Sequence, residues 1–235
     1  MKLSRRQALL IHYILDQWVP PAIRDTNWFM MPMFHVLFGG KASIFSNWKE
    51  LAPSMSKDQF IQSYRDVEDV LIDRVTSLNE KCIMRIKDSI LGETVLEVGS
   101  GNGYLAGILS ACAQVTGVDI IVSPEVRAAH PQVRFEQGDM EDLPFPDHSF
   151  DTVVSTHTLE HVQNLPASMK ELRRVARRRL ILVTPRQRPY RYTFDLHLNF
   201  FPYPHSLRQA AGQGPGRSEC SVVGGDLFFM ETYME

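Results

Sequence analysis

Residues 95–104 read VLEVGSGNGY, an apolar run followed by three glycines at alternate positions, Gly99, Gly101 and Gly103. The run is typical of a buried strand, and the residues after the last glycine indicate the start of a helix. Glycine has no Cβ and tolerates positive φ, so such a loop lets the backbone lie very close to a ligand. The free amides of the helix N-terminus would add donors for a carboxylate or a phosphate. Alone, the loop is equally compatible with an ordinary strand-to-helix turn.

The sequence around this loop predicts a mostly parallel sheet with crossover helices. From residue 94 onward, short β-branched runs alternate with helical stretches. Strands are predicted at 94–98, 115–119, 132–136, 150–155 and 179–184, and helices near 102–112, 124–129 and 165–177. Two further runs, 219–223 and 227–233, are joined by Gly224-Gly225 and predict an antiparallel hairpin at the edge of the sheet. The prediction is therefore an α/β fold with a mostly parallel seven-stranded sheet.

The N-terminal part has a different, helical pattern. Residues 3–17 predict an amphipathic helix that ends before Pro20-Pro21, and residues 18–38 concentrate Trp, Phe and Met side chains. Residues 56–91 predict two helices, the first capped by Ser56 and the second beginning after Asn79. We expect a helical extension or lid over residues 1–91 and one α/β domain over residues 92–235.

Composition limits the classes of function. The 235 residues carry a formal net charge of -2, which argues against a surface built to bind nucleic acid. The three cysteines have no CxxC spacing, which fits a reducing compartment better than a disulfide scaffold. Arg5-Arg6 superficially resembles an export signal, but polar residues interrupt the following apolar stretch, and no uncharged run reaches the roughly 18 residues that span a bilayer. We expect a cytoplasmic protein.

Two carboxylates follow neighbouring predicted strands. Asp119 ends the second strand, 20 residues beyond Gly99, where an acid can accept hydrogen bonds from the two hydroxyls of a ribose. Asp139 follows the third strand and is a candidate acceptor for an adenine amino group. Because the carboxyl ends of parallel strands share one edge of a sheet, the glycine loop and both acids are expected to converge there.

With these features, residues 94–184, about 40% of the chain, resemble the core of the class I S-adenosylmethionine-dependent methyltransferases. The resemblance is strongest to the small-molecule group that includes quinone-biosynthesis enzymes. Its motifs are the Gly-x-Gly-x-Gly loop after a strand carrying Glu97, the run at 143–154 that begins LPF and ends SFDTVV, and LEHV at 159–162. Nicotinamide-binding folds usually show Gly-x-Gly-x-x-Gly instead.

The resemblance implies a Rossmann-like fold, S-adenosylmethionine as the cofactor, and a set of cofactor-binding residues. The amino acid part of the cofactor would be held by Glu97, Gly99, Ser100, Gly101 and Gly103. Asp119 would bind the ribose, and Asp139 with the backbone of Met140 would bind the adenine. We also assign Ile120 and Thr156, which follow the second and fourth strands, to this site.

Three histidines are catalytic candidates: His157, His161 and His197. Methyl transfer from a sulfonium is an in-line displacement, so the enzyme mainly aligns the acceptor and excludes water, and a base is optional. An acceptor hydroxyl would need a base, and His157, directly after the fourth strand, is the better candidate. The alternative for Glu160-His161 is a structural role, because that pair recurs in family members that have different acceptors.

A metal site is a further alternative at the same histidines. His157, Glu160 and His161 have metal-ligand spacing, and His197 would complete the shell. Some related methyltransferases use a similar Glu-x-x-Glu-His motif to hold a divalent cation. Because histidine replaces the first glutamate here, we predict no metal and keep a divalent metal ion as the less favoured alternative.

The basic run between residues 170 and 191 has two interpretations. It is either a solvated helix face or, together with the aromatic segment at 18–38, a surface for an anionic membrane or an amphipathic acceptor. The aromatic segment is more simply a lid over the acceptor pocket, with residues 189–192 and 199–203 as the opposite wall.

Three functions are compatible with these patterns. The favoured one is methyl transfer to oxygen, nitrogen or carbon of a small, partly hydrophobic acceptor, with no nucleic acid partner. A catalytically inactive cofactor-binding protein, acting at a membrane periphery or on a partner, is the alternative. A nicotinamide-dependent oxidoreductase is disfavoured by the glycine spacing.

Overall fold

The computed structural model describes residues 11, 13–15, 18–67, 70 and 76–233. The chain divides into two compact units, one formed by Met1–Arg74 with Gln187–Phe200 and the other by Val75–Arg186 with Phe201–Glu235. This division differs from the expected one at residue 91, because residues 75–91 belong to the unit with the sheet. We call the first the helical unit and the second the sheet unit.

The sheet unit contains one seven-stranded sheet in the order β3-β2-β1-β4-β5-β7-β6. Its strands are β1 (Thr94–Val98), β2 (Gln114–Asp119), β3 (Arg134–Gln137), β4 (Phe150–Thr156), β5 (Ala176–Thr184), β6 (Arg217–Val223) and β7 (Asp226–Thr232). Strands β1 to β5 pair in parallel, and β7 pairs antiparallel with β5 and β6. The predicted mostly parallel sheet with an antiparallel C-terminal hairpin is confirmed.

Apolar side chains cover both faces of this sheet. Leu96, Val153 and Leu180 lie in one buried cluster, whereas their neighbours Val95, Val154 and Ile181 lie in another. Successive side chains of a strand point to opposite faces, so both faces of β1, β4 and β5 are buried. This explains why the central strands read as continuous apolar runs instead of alternating ones.

Five helices and their caps complete the described part of the sheet unit. They are α5 (Glu80–Ser89), α6 (Tyr104–Leu109), α7 (Pro124–Ala129), α8 (Leu165–Val175) and α9 (Pro204–Ala211). Helix α5 begins after Asn79, as predicted, and the Asn79 side chain accepts a hydrogen bond from the Cys82 amide. Helix α8 ends two residues before the prediction, because Ala176 already pairs with Phe150 of β4.

The basic run is therefore not one solvated helix face. Arg177–Arg179 lie on β5, and three arginines of the run meet carboxylates of the same unit. Arg173 lies 2.8 Å from buried Glu231, Arg174 lies 2.6 Å from Glu171, and Arg177 pairs with Asp151. Three positive charges of the run are thus balanced by carboxylates inside the sheet unit.

The helical unit contains α1 (Pro21–Arg24), α2 (Asn27–Phe38), α3 (Ala42–Leu51) and α4 (Lys57–Val67). Ser56 caps α4 as predicted, since its Oγ accepts from the Gln59 amide at 3.3 Å. Residues 11 and 13–15 are helical, and the rest of the predicted helix at 3–17 lies outside the described residues. Residues 68–69 and 71–75 of the predicted helical stretch at 56–91 lie outside them as well.

The core of the helical unit includes the segment Gln187–Phe200. Tyr190, Tyr192 and Leu196 are buried there with Phe34 and Trp48 of the helices. Among the residues that the structure describes, no helix has both the length and the apolar character needed to cross a membrane.

Candidate cofactor site

The glycine loop between β1 and α6 adopts left-handed backbone conformations at its three glycines. The φ angles of Gly99, Gly101 and Gly103 are 78°, 51° and 77°. A Cβ added to Gly99 would lie 2.1 Å from Thr158 Oγ1, so the loop after β4 packs directly against this backbone. Only glycine satisfies both the angle and the close approach at this position.

Glu97 lies on β1, two residues before the first glycine of this loop, and is 2% exposed. It accepts a hydrogen bond from the Ala106 amide, while its Oε2 atom is buried without a partner among the described residues. Burial raises the pKa of Glu97 to about 8, although the hydrogen bond from Ala106 lowers it. A buried carboxylate oxygen without a partner is suited to a ligand that brings a donor or a positive charge.

Asp119 is the last residue of β2, and its side chain is hydrogen-bonded to the glycine loop. Its Oδ2 accepts from the Gly101 amide at 2.8 Å, and its Oδ1 accepts from the Ile121 amide at 3.2 Å. Burial raises the pKa of Asp119, and these amide hydrogen bonds oppose that effect. The backbone carbonyl of Ile120 accepts from Gln137 Nε2 at 3.0 Å, which links the ends of β2 and β3.

Asp139 follows β3 at the same edge of the sheet. Gly138 donates to the carbonyl of Asp119 at 3.0 Å, and Asp139 Oδ1 accepts from the Glu141 amide at 2.9 Å. Met140 is buried in the core beside it. Thr156 ends β4, and its carbonyl accepts from Thr158 Oγ1 at 3.1 Å.

The parallel register brings these predicted residues to one edge. Glu97 is in register with Gly117 of β2 and Val154 of β4, and Asp119 is in register with Gln137 of β3. The ends of β1 to β4 therefore present the glycine loop, the acids and Thr156 together. This edge can bind a ligand that has donors for several carboxylates and a group small enough to lie on the glycine loop.

The three histidines differ in their surroundings. His157 follows β4 with a φ of 52°, and its amide donates to the Val183 carbonyl at 2.8 Å. The amide of His161 donates to the Thr158 carbonyl at 2.9 Å. His197 belongs to the helical unit, where its Nδ1 lies 2.7 Å from Gln187 Oε1. Their catalytic roles stay predictions.

No local sequence pattern points to the two polar residues that lie near His157. Its Nε2 lies 3.4 Å from Asp226 Oδ2 at the start of β7, and the same Oδ2 accepts from Asn79 Nδ2 at 2.7 Å. Asn79 is predicted only as a helix cap, and Asp226 only as part of a hairpin. Their 147-residue separation hides the pair from any local pattern.

The residues of this edge fall within a part of the chain that resembles known proteins. Residues 96–184 match a family model described as a methyltransferase domain. The chain is 34% identical over 102 residues to a probable S-adenosylmethionine-dependent methyltransferase of Mycolicibacterium smegmatis, covering 42% of this chain and 40% of that protein. It is 31% identical over 131 residues to demethylmenaquinone methyltransferase of Porphyromonas gingivalis, covering 50% of this chain and 54% of that protein. The matches thus span about half or less of these relatives' length.

Solved structures share the fold over more of the chain. A SAM-dependent methyltransferase from Aquifex aeolicus superposes with a TM-score of 0.52 and 19% identity, covering 72% of this chain and 96% of that one. The 1,6-didemethyltoxoflavin-N1-methyltransferase of Burkholderia thailandensis gives a TM-score of 0.53 and 21% identity, covering 76% and 87%. The predicted Rossmann-like fold is confirmed, and residues 96–184 resemble the methyltransferase domains of S-adenosylmethionine-dependent enzymes.

Proposed function

We propose that this chain is an S-adenosylmethionine-dependent methyltransferase that acts on oxygen, nitrogen or carbon of a small, partly hydrophobic acceptor. The observation that carries the proposal is the convergence of Glu97, Asp119 and Asp139 at one sheet edge, around a loop with three left-handed glycines. When bound, the cofactor supplies a methyl group on a sulfonium, which is a reactive electrophile.

The described residues fit the polar parts of that cofactor. The buried Oε2 of Glu97 lacks a partner among the described residues and is suited to the ammonium of the amino acid part. Asp119 already accepts from two amides, and a carboxylate has further lone pairs for ribose hydroxyls. Asp139 and the Met140 backbone are assigned to the adenine, and Ser100, Ile120 and Thr156 complete the proposed set.

The chain's part in the reaction is to align the acceptor, exclude water and, where the acceptor is a hydroxyl, remove its proton. His157 and His161 follow β4 at the same edge and are the proposed bases in the sheet unit. His197 is kept as a candidate in the helical unit. We propose a cytoplasmic setting, which is supported by three cysteines that form no disulfide.

Calorimetry tests the cofactor assignment. The whole chain is titrated with S-adenosylhomocysteine and, separately, with NADH. We expect binding of S-adenosylhomocysteine and none of NADH, because the glycine spacing and the Glu97 carboxylate suit the former. Binding of NADH alone, or of neither compound, would overturn the proposal.

Transfer is tested with S-adenosylmethionine that carries a labelled methyl group and a small-molecule extract. We expect label in a low-molecular-mass product whose mass has increased by one methylene group. Binding without any transfer would support the catalytically inactive alternative instead.

A further inference from the structure

Helix α2 (Asn27–Phe38) is apolar on two opposite sides. Met30, Phe34 and Phe38 are spaced four residues apart and are buried in the core of the helical unit. None of the twelve residues of α2 is Asp, Glu, Lys or Arg, so its other side has no ionised side chain of these types. A helix that is apolar all round is normally covered on every side, whereas a surface helix carries polar residues on its outer face.

The side of α2 that faces away from this core is exposed. Trp28, Pro32 and Val36 follow one another at intervals of four residues, which places them along one face of the helix. All three are exposed, and Trp28 and Val36 are each 70% exposed. We call these three residues the outer face of α2. Covering this face would remove apolar surface from water, which is favourable.

Exposed apolar side chains are concentrated in the helical unit. Eleven large apolar side chains are exposed among the residues that the structure describes. Seven of them belong to this unit, namely Tyr13, Ile14, Trp18, Ile23, Trp28, Val36 and Leu51. Single exposed apolar residues are common on protein surfaces, whereas a concentration of them is typical of an interaction surface.

The same part of the sequence carries an excess of positive charge. Residues 1–49 contain six basic residues and two acidic ones, Asp16 and Asp25, whereas the whole chain has a net charge of -2. Asp25 already accepts hydrogen bonds from the Arg24 side chain and from the Arg191 amide. An apolar face in a positively charged segment complements an anionic surface that has an apolar interior. A second copy of this chain would bring the same positive charge to the contact, so charge disfavours it as the partner.

We propose that the outer face of α2 binds an anionic lipid surface, with the helix lying between the headgroups and the acyl chains. Trp28 suits this position, because its indole has an apolar ring and a polar N–H that stays at the level of the headgroups. With twelve residues α2 is too short to span a bilayer, so it lies along the surface. This inference goes beyond the proposed function and does not depend on the cofactor site.

Co-sedimentation of the whole chain with lipid vesicles tests the proposal. We expect binding to vesicles that contain phosphatidylglycerol and phosphatidylcholine in equal amounts, and much weaker binding to phosphatidylcholine alone. High salt should weaken the binding, because it screens the attraction between basic residues and anionic lipid. Trp28→Gln combined with Val36→Gln should lower the partition coefficient about tenfold or more, since two apolar side chains are lost from the interface.

Met84→Gln is the matched control, because Met84 is an apolar side chain of the sheet unit that is 58% exposed. It should bind the anionic vesicles as the wild type does. The double variant and the control should both keep the wild-type urea midpoint, since every substituted side chain is exposed. Fluorescence quenching by brominated lipid adds a direct measurement. In Trp18→Phe we expect quenching that disappears when Trp28→Phe is added, because the remaining Trp48 is 1% exposed.

Three results would each overturn the proposal: no binding of the wild type to anionic vesicles, equal binding to anionic and neutral vesicles, or equal binding of the wild type and the double variant. Analytical ultracentrifugation detects another occupant of the outer face. A wild-type dimer that becomes a monomer in the double variant would assign this face to a second copy of the chain, and would overturn the proposal as well. Failure of the proposed function is measured separately, as loss of S-adenosylhomocysteine binding by the wild-type chain.

Discussion

Asp119 Oδ2 lies 2.8 Å from the amide nitrogen of Gly101, so the acid at the end of β2 directly supports the glycine loop of β1. The contact joins the two parts of the edge that we assign to the ribose and to the amino acid part of the cofactor. A change at Asp119 should therefore affect cofactor binding both through the lost acceptor and through the loop.

Asp119→Ala should weaken binding of S-adenosylhomocysteine by about 1 to 3 kcal/mol, because buried donors on the ligand and the loop lose their acceptor. Calorimetry measures the change. Asp88→Ala, which removes an exposed acid on α5, is the control and should bind as the wild type does. An unchanged affinity in Asp119→Ala would show that the ribose site lies elsewhere.

Binding should release a proton from Glu97 near pH 7. Burial raises the pKa of Glu97 to about 8, so the free protein holds this carboxyl mostly protonated at pH 7. An ammonium placed beside it favours the charged form, and the proton must leave. Above about pH 8 the carboxyl is already ionised, so the release should decline.

The measurement is the binding enthalpy of S-adenosylhomocysteine in buffers with different ionisation enthalpies. At pH 7 we expect a slope equivalent to about one proton released per ligand. Glu97→Gln keeps the size of the side chain but cannot ionise, and its slope should be close to zero. Equal slopes in the two proteins would mean that Glu97 does not meet the cationic group.

Local patterns predicted the strands well, because β-branched runs and glycine turns mark them within a few residues. The prediction at 115–119 is within one residue of β2, and the acids at the strand ends follow from the parallel order. Local patterns could not predict which of the two compact units a helix belongs to. Helix α5 belongs with the sheet because Cys82 and Ile86 pack with Val95. The spacing of apolar residues along the helix shows that one face is buried but does not specify what covers that face.

The same limit applies to the site. The glycine loop is continuous in sequence, so a local pattern predicts it. Asn79 and Asp226 are far apart in sequence and come into contact only in the folded chain, where one caps α5 and the other begins β7. Likewise, Arg177 falls in the predicted helix at 165–177, but pairing of Ala176 with Phe150 makes it part of a strand. Backbone pairing overrode local propensity there.

Gly99→Ala should destabilise the protein more than Gly101→Ala. Both positions have positive φ, so each alanine costs about 1 to 2 kcal/mol of backbone strain. Only at Gly99 would the new Cβ also collide with Thr158, at 2.1 Å from Oγ1, whereas nothing lies within 4 Å at Gly101. Overpacking of this kind adds about 1 to 3 kcal/mol.

Urea unfolding followed by circular dichroism compares the two alanine variants. The midpoint of Gly99→Ala should be the lower one, and its affinity for S-adenosylhomocysteine should be weaker because the loop has to shift. Similar midpoints for the two variants would mean that Thr158 does not constrain the loop.

Trp48→Phe should loosen the segment Gln187–Phe200 within the helical unit. The indole Nε1 donates to the Leu196 carbonyl at 2.7 Å, and Trp48 is 1% exposed. Phenylalanine cannot donate, so a buried carbonyl loses its partner at a cost of about 1 to 3 kcal/mol, and the smaller ring leaves a cavity. Hydrogen exchange should therefore become faster at the amides around Leu196.

Trp28→Phe is the matched control, because Trp28 is 70% exposed. Its exchange pattern should match that of the wild type, since an exposed ring contributes little to the core. The comparison also tests the division of the chain, because residues 187–200 can depend on Trp48 only if they fold with the N-terminal helices. If both tryptophan variants exchange alike around Leu196, that segment is held by other contacts.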